Sequence, residues 1–411
     1  MPRPPEHHAP IEIAQPVARL GVATRDDPYN AIDEVLEAVE GIGPVDLALL
    51  FVNTRLARFL PAIVNRVNET LHPVALAGCT ASGILGGGSD RAQGPAISLL
   101  ALRLPGAKIT TLRLGEWLRD AEDDPERWRA ALDLPVEDVN GLFLFADPFR
   151  TDAQSLLSGL HHAYPQATIV GGVALGSVQH RQTWVVAGEE IAGEGAVAVA
   201  IGGNYTIEPV ISQGCSPIGQ TWTITGASKQ WIDTIAGQPA MDVLLDTLRA
   251  IPPEQRERAG RNLFAGLAAD EYRDNFDRGD FLIRGIAGVE KETGAIALNA
   301  LPRVGQTIQF QIRDTQTARD DLRAALDRAT TQLGPDRTPI ATVLCASGDR
   351  NDVPSGAVNA DVSAIESRFP GVPVAGIACS GEIAPVGKKP FLHGFTAAMG
   401  MICRVGERER D

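Results

Sequence analysis

The sequence predicts an α/β fold of two domains built on mixed, largely parallel sheets, with antiparallel strands in the C-terminal half. Two observations support this prediction: a βαβ-like pattern that occurs three times, and an alternating apolar and polar pattern late in the chain. A length of 411 residues and an apolar content of 44% are enough for two domains with cores of their own.

Each βαβ-like unit consists of an apolar strand, a helical stretch, an aromatic-type residue followed by proline, and a second apolar strand. The three first strands are VDLALLFVNT (45–54), NGLFLFADPF (140–149) and IATVLCASG (340–348). Every second strand ends in a Gly-x4-Gly turn, at residues 78–83, 171–176 and 376–381. Such units build sheets with helices on their faces, and ligands bind outside the carboxyl ends of the strands.

The segment between the second and third units has a different pattern. A proline-started helix is predicted at 239–251, and the alternation of Ile308, Phe310 and Ile312 with polar residues predicts a half-exposed antiparallel strand. A capping-box-like start predicts a further helix over residues 317–333.

These patterns divide the chain into two domains with a boundary near residues 226 to 238. We expect a flexible N-terminal arm at 1–27, an N-terminal domain at 28–235, a C-terminal domain at 236–403 and a charged tail at 404–411.

Charge and hydropathy exclude several classes of partner. The net charge of −14, without any block of Lys or Arg, argues against nucleic acid. No run of 18 apolar residues predicts membrane insertion, and the N-terminus lacks the apolar stretch of a signal peptide, so we expect a cytoplasmic protein. Five scattered cysteines and seven histidines without an HExxH pattern indicate neither a disulfide framework nor a metal site, and we expect no cofactor.

The third glycine turn carries the main candidate for a binding site. In Ser380, Gly381 and Glu382, a hydroxyl, backbone N–H groups and a carboxylate lie where a strand ends, and they can converge on a small polar ligand. Cys79 and Ser82 belong to the corresponding turn of the first unit. The alternatives are a solvated turn residue for Glu382 and tight packing for the cysteines, which we favour over a reactive thiol.

Three further residues are candidates for the same ligand. Arg284 lies within an apolar strand and Arg313 ends another, and a guanidinium there can grip a carboxylate through two hydrogen bonds. Internal ion pairing is the alternative for both arginines. His393 is suited to titrate near neutral pH, although a lone histidine between aromatic residues commonly has a structural role.

Familiar catalytic patterns are missing. The residues after Gly83 and Gly381 do not fit a P-loop, and no GxSxG motif occurs, so we assign no catalytic residue. An enzyme of unrecognised type remains an alternative, and it requires Cys379 and His393 to lie within hydrogen-bond reach of each other.

Motifs spread over both halves of the chain resemble the FIST proteins, with their paired FIST N-terminal and FIST C-terminal domains. The resemblance covers residues 28–403, and the motifs that carry it are FADPF (145–149), SQGCSPIG (212–219), GQPAMDVL (237–244), VAGIACSGEIAPVG (374–387) and FLHGFTA (391–397). It implies a stand-alone bacterial-type member, an intracellular sensory protein for signal transduction that binds small ligands such as amino acids. Two turns depart from the family pattern, SGILGGG (82–88) and CASGDRND (345–352), which puts the identity of the ligand in doubt.

The favoured hypothesis is therefore a sensor that binds an amino acid or similar small carboxylate at its glycine turns and signals through an unidentified protein partner. A protein-interaction scaffold without an obligatory ligand is the second alternative, and an exposed apolar patch with a polar rim favours it.

Overall fold

Three four-stranded modules with one strand order surround a shared apolar core, and a closed barrel is inserted into the third. This architecture is seen in a computed structural model that describes residues 15–92, 94–115, 124–177, 179, 181–260, 262–273, 275–334, 337, 339–348 and 360–405.

The first module contains two helices and a sheet in the order β1-β6-β2-β3. Its elements, with a short hairpin before the last strand, are β1 (Val17–Thr24), α1 (Pro28–Ala38), β2 (Leu47–Asn53), α2 (Leu60–Leu71), β3 (Ala75–Ala81), β4 (Ile84–Gly86), β5 (Ser89–Ala92) and β6 (Ala96–Arg103).

The second module repeats this order as β7-β12-β8-β9. Its elements are β7 (Ala107–Leu114), α3 (Pro125–Leu132), β8 (Gly141–Ala146), α4 (Ala153–Ala163), β9 (Thr168–Ala174), β10 (Val185–Ala187), β11 (Glu190–Ala192) and β12 (Ala196–Gly203).

The third module begins with β13 (Tyr205–Ser212), and the barrel follows before the module resumes. The barrel contains β14 (Ser216–Ser228), β15 (Trp231–Ile235), β16 (Gln238–Pro239), α5 (Ala240–Ala250), α6 (Pro253–Ala259), β17 (Leu263–Ala268), β18 (Phe281–Val289), β19 (Ile296–Leu298) and β20 (Thr307–Ile312). The module then continues with α7 (Thr315–Leu333), β21 (Ala341–Ser347), α8 (Ala360–Arg368), β22 (Val374–Val386), β23 (Lys389–His393) and β24 (Ala397–Arg404), and its order is β13-β24-β21-β22.

The three predicted βαβ units are confirmed as parallel strand pairs, β2 with β3, β8 with β9 and β21 with β22. The expectation of largely parallel sheets is wrong, because the other pairings among the described strands are antiparallel. The chain returns to each βαβ unit through β6, β12 or β24, which follow short connections without a crossover helix, and such strands pair antiparallel.

The modules interlock in a cycle. The first module adds β4 to β22 of the third, the second adds β10 to β3 of the first, and β22 continues past its own module to pair with β9 of the second. The second strand of each βαβ unit, β3, β9 or β22, therefore pairs with a strand of a neighbouring module. None of these three strands is a free sheet edge. One consequence is that strands from both sides of residue 236 share a single sheet of eleven strands.

The first glycine of each Gly-x4-Gly turn lies within its strand and explains the tight pairing there. A Cβ atom on Gly78, Gly171 or Gly376 would lie 1.8 to 1.9 Å from a carbonyl oxygen of the neighbouring parallel strand. The facing residue is in each case the fourth of its strand, namely Leu50, Leu144 or Leu344. Only glycine allows the backbones to approach this closely.

The inner faces of the three modules form one apolar core, and the helices cover the outer faces. Along the first strand of each βαβ unit, alternate residues point into this core. Leu49 and Phe51 do so in β2, and Phe143 and Phe145 in β8.

The barrel is a closed antiparallel ring with its own core. Strands β14, β20, β17, β18 and β19 pair in that order, and β15 closes the ring by pairing with both β19 and β14. The predicted helix at 239–251 is found as α5, and its Val243 and Leu244 pack into the barrel core.

The predicted N-terminal arm, residues 1–27, was too long, because Val17–Thr24 pair along their whole length with β6. This pairing depends on a strand 70 or more residues later in the chain, which local patterns do not reveal. Residues 1–14 and 406–411 lie outside the described part of the chain. Within that part, no helix combines the length and the apolar character that crossing a bilayer requires.

Candidate functional site

A ring of backbone hydrogen bonds joins the residues just after β3 and β9 to Ala378, in the middle of β22. The prediction that the second strand of the third unit ends at the Gly376–Gly381 turn is wrong, because β22 continues to Val386 and pairs there with β9 and then with β23. The N–H of Ser82 donates to the carbonyl of Leu175 at 2.7 Å, the N–H of Leu175 to Ala378 at 2.9 Å, and the N–H of Ala378 to Gly83 at 2.9 Å. The ring joins all three Gly-x4-Gly turns at one end of the central core, and we call this end the pole.

A layer of polar residues covers the core at the pole. Asn53, Asp147 and Ser347 each end the first strand of a βαβ unit (β2, β8 or β21), or follow it directly, two residues after the last inward-pointing core residue. All three are buried, with 1%, 1% and 5% of their surface exposed. Three buried polar side chains in equivalent places need partners, because an unsatisfied polar group inside a protein costs about 1 to 3 kcal/mol.

The protein itself satisfies Asn53. Its Nδ2 donates to the carbonyl of Ser82 at 3.0 Å, and its Oδ1 accepts from the N–H of Arg55 at 3.0 Å. The second contact turns the chain at the end of β2 as an Asx turn does, so this residue has a structural function at the pole.

One of the two carboxylate oxygens of Asp147 accepts hydrogen bonds from the protein. Its Oδ2 accepts from the N–H groups of Phe149 at 3.2 Å and Arg150 at 2.7 Å, while its Oδ1 has no hydrogen-bond partner among the described residues. Burial raises the pKa of Asp147, and the two backbone N–H groups and the charge of Arg150 act in the opposite direction.

Thr183 adds a second buried group of this kind. Its Oγ1 also has no partner in the part of the chain that the structure describes, and it packs where a Cβ on Gly176 would lie, at 2.2 Å. Gly176 ends the turn of the second module, so a hydroxyl without a partner among the described residues packs against that turn.

The two predicted serines lie at the pole. Ser380 is the one exposed residue of β22, which is otherwise buried from Val374 to Pro385, and its Oγ donates to the carbonyl of Val173 at 3.3 Å. A bulge between Cys379 and Gly381 aligns β22 with β9 around it. Ser82 is half-buried and takes part in the ring through its backbone.

Glu382, His393 and Arg284 come together at a different place, the contact of the barrel with β22 and β23, which we call the junction cluster. Glu382 is completely buried, and its Oε2 accepts from the N–H of Thr396 at 3.0 Å. His393 lies opposite Glu382 in the strand register, and its Nε2 is 3.0 Å from the carbonyl oxygen of Ala384.

The barrel contributes Arg284 to this cluster. One of its guanidinium nitrogens donates to the carbonyl of Leu392 at 3.0 Å. Burial lowers the pKa of Arg284 and the charge of Glu382 opposes that shift, while burial lowers the pKa of His393 to about 4 with a further lowering by the charge of Arg284. The histidine is therefore neutral at pH 7.

Arg313 is close to the junction cluster but separated from it by a ring. Its guanidinium lies 5.6 Å from the centre of the Phe395 ring, and Phe395 also packs edge-on against Phe264. The structure thus gathers the predicted residues in two places, with Ser82, Ser380 and Gly381 near the pole and Arg284, Glu382 and His393 at the junction.

Cys79 lies in the central core with Cys345 and Cys379, away from any surface. Burial raises the pKa of Cys79 and of Cys379, and the neighbouring Cys345 raises both further. No hydrogen bond in the described residues joins Cys379 to His393, since the thiol of Cys379 is directed to the carbonyl of Ile377 and His393 contacts Ala384.

Sequence reasoning missed Asn53, Asp147 and Thr183. A signal for the first two was present, because a polar residue ends the apolar first strand at the same point of each unit. No sequence pattern pointed to Thr183. Residues 349–352 of the CASGDRND turn lie outside the described residues. Within the described part of the chain, no group of His, Cys, Asp or Glu side chains is suited to hold a metal ion.

Comparison with known proteins identifies the family. Residues 46–238 match the profile of the FIST N domain and residues 240–385 that of the FIST C domain. FIST domains are generally associated with signal transduction and small-ligand sensing.

Relatives align over nearly the whole chain. An uncharacterized protein of Mycobacterium tuberculosis (strain CDC 1551 / Oshkosh) is 32% identical over 388 residues, which cover 93% of this chain and 98% of the relative. An uncharacterized protein of Mycobacterium bovis is 30% identical over 387 residues, which cover 93% and 97%.

Among solved structures, the cyanuric acid hydrolase of A. caulinodans aligns over 95% of this chain and 100% of its own, with 10% identity and a TM-score of 0.35. A chorismatase aligns over 95% and 99%, with 11% identity and a TM-score of 0.32. Scores this low say nothing about activity.

Proposed function

The chain belongs to the FIST family, and from that premise we propose that it is an intracellular sensor that binds a small carboxylate, such as an amino acid, at the pole. The ligand contacts Ser380, Ser82 and Asp147, and a protein partner reads the bound state.

The observation that carries this proposal is that the Oδ1 of Asp147, in a buried polar layer, has no hydrogen-bond partner among the described residues. This layer lies outside the carboxyl ends of parallel strand pairs, where ligands of α/β sheets bind. A protein does not usually leave a buried carboxylate oxygen unsatisfied, so the group is accounted for when a ligand supplies the donor.

The chemistry at the pole suits a ligand with both an ammonium and a carboxylate. An ammonium group is the partner that a buried carboxylate such as Asp147 favours. Ser380 provides an exposed hydroxyl that donates to the ligand carboxylate when it turns away from the carbonyl of Val173. Arg55 and Arg150, both exposed, follow Asn53 and Asp147 closely in the chain and supply positive charge.

One strand connects this site to the rest of the molecule. Within β22, Ser380 at the pole is followed by Glu382 at the junction cluster, where Arg284 of the barrel is bound. A ligand that fixes Ser380 therefore acts on the strand that holds the barrel, which gives a route from binding to a change at the surface.

Thermal denaturation tests the proposal. Wild type, Asp147→Asn and a Ser228→Ala control on an exposed barrel strand are each unfolded with the twenty amino acids and with small mono- and dicarboxylic acids. A ligand at 100 times its dissociation constant adds about 2.7 kcal/mol to stability, which raises the midpoint measurably. We expect a selective rise in wild type and in the control, with loss of the rise in Asp147→Asn. The absence of a shift for every compound, or an equal shift in Asp147→Asn, would overturn the proposal.

A further inference from the structure

A cleft of about 670 Å³ lies between the barrel and the β22–β23 hairpin. Two barrel loops, 269–273 and 303–306, form one wall, and residues 386–391 of the hairpin form the other. No feature of the proposed ligand site uses this cleft.

The cations and the carboxylates of the cleft differ in their pairing. Arg303, Lys388 and Lys389 have no ion-pair partner among the residues described, although Lys388 Nζ is 3.5 Å from the amide oxygen of Gln166. Three cations without an ion-pair partner in the described part of the chain reverse locally the sign of a net charge of −14.

The carboxylates of the cleft already have hydrogen-bond or ion-pair partners. Both oxygens of Glu271 accept from the N–H of Thr307, and one also accepts from its hydroxyl at 2.7 Å. Asp270 caps its own turn and lies 4.0 Å from Arg273, which also pairs with Asp280 at 2.6 Å. The lining carries four cationic side chains against the two carboxylates of Asp270 and Glu271, so its net charge is positive.

Large apolar side chains surround these cations in exposed positions. Tyr272 and Val304 line the cleft with 99% and 63% of their surface exposed, and Leu301, three residues before Val304, is 75% exposed. Phe391 forms the opposite wall, with the ammonium of Lys389 5.5 Å from the centre of its ring. Exposed apolar groups that cluster in this way mark contact surfaces for other proteins.

We propose that this cleft docks an acidic segment of a partner protein, with an aromatic or large aliphatic anchor between Tyr272, Val304 and Phe391 and carboxylates on Arg303, Lys388 and Lys389. Three cations beside an apolar wall fit a short acidic peptide, whereas a nucleic acid requires a longer basic track than an acidic chain of this kind offers. The inference does not depend on a ligand at the pole.

Selection from a phage-displayed library of random 12-residue peptides tests the proposal on the full chain. We expect wild type to enrich peptides with several Asp or Glu residues around an aromatic or leucine, with affinity that falls as salt rises. The paired change Lys388→Glu/Lys389→Glu lowers the affinity of a selected peptide at least tenfold. The matched change Lys229→Glu/Lys291→Glu, at two exposed lysines of the barrel outside the cleft, leaves it unchanged. Arg303→Gln serves as a second variant if the paired change disturbs folding.

The inference is overturned by no enrichment above background, by enrichment of peptides without acidic residues, or by equal affinity of the selected peptide for wild type and the Lys388→Glu/Lys389→Glu protein. Displacement of the peptide by a single-stranded oligonucleotide of equal charge at equal concentration would assign the surface to nucleic acid instead.

Discussion

The buried carboxylate of Glu382 accepts a hydrogen bond from the backbone N–H of Thr396 at 3.0 Å, across the β22–β23 hairpin and the turn that follows it. Arg284 of the barrel donates to the carbonyl of Leu392 in β23 of the same hairpin. This bond joins the barrel to the eleven-stranded sheet close to the buried charge of Glu382, which lies two positions from Ser380.

The first prediction concerns the two buried charges of the junction cluster, Glu382 and Arg284. Glu382→Gln keeps an acceptor for Thr396 but removes the negative charge that opposes the burial cost of Arg284, so we expect the free energy of unfolding to fall by about 3 kcal/mol. Arg284→Met in the same background restores much of that loss, because no unpaired charge is then left buried. Urea unfolding of the two single variants and the double variant measures the coupling, and additive losses would refute it.

The second prediction is a loss of stability in acid that depends on His393. Burial lowers the pKa of this residue to about 4 in the folded protein, whereas an unfolded histidine titrates near pH 6.5. Between these values the unfolded chain binds more protons, so stability is complete above pH 6.5 and falls by up to about 3 kcal/mol as the pH decreases to 4. Unfolding of wild type and His393→Gln between pH 6.5 and 4 measures this loss of stability. Parallel curves of stability against pH for the two proteins would show that another group is responsible.

The third prediction follows from the close approach of the strands. Gly376→Ala places a Cβ atom 1.8 Å from the carbonyl oxygen of Leu344, so the parallel pair must separate, and we expect a loss of about 3 kcal/mol or more. Gly288→Ala in a barrel strand meets no atom within 4 Å and has little effect. Thermal midpoints compare the two proteins, and equal midpoints would mean that the close approach is wrong.

The fourth prediction concerns the thiols. All five cysteines are buried, and burial raises the pKa of Cys403 to about 12 and also raises those of Cys79 and Cys379. We expect no reaction with a disulfide reagent such as 5,5′-dithiobis(2-nitrobenzoate) at pH 8 in the native protein and five equivalents after unfolding. Rapid modification of a native thiol would revive the hypothesis of a reactive cysteine.

Local sequence patterns were sufficient for the three βαβ units, because each depends on periodicity and turn residues within about 40 positions. They could not reveal the majority of antiparallel pairs or the cyclic closure, since pairs such as Gly86 with Ala375 join residues far apart in the chain.

The residues of the candidate site were likewise predictable only where local sequence was sufficient. Ser380 and Glu382 were identified from a predicted turn, but the burial of Glu382 and its bond to Thr396 depend on tertiary packing, which the local pattern does not reveal. Asp147 precedes a proline and resembles an ordinary turn residue, and only the packed core shows that one of its oxygens is enclosed without a partner among the described residues.

Calorimetric titration of the compound that gives the largest thermal shift tests the location of the ligand at the pole most directly. Wild type is compared with Ser380→Phe, which fills the space beside an exposed side chain, and with Ser228→Phe on the barrel as a control for bulk. We predict binding of one molecule per chain to wild type and Ser228→Phe, and a loss of affinity of at least a hundredfold in a folded Ser380→Phe protein. Unchanged affinity in Ser380→Phe would contradict a ligand site at the pole.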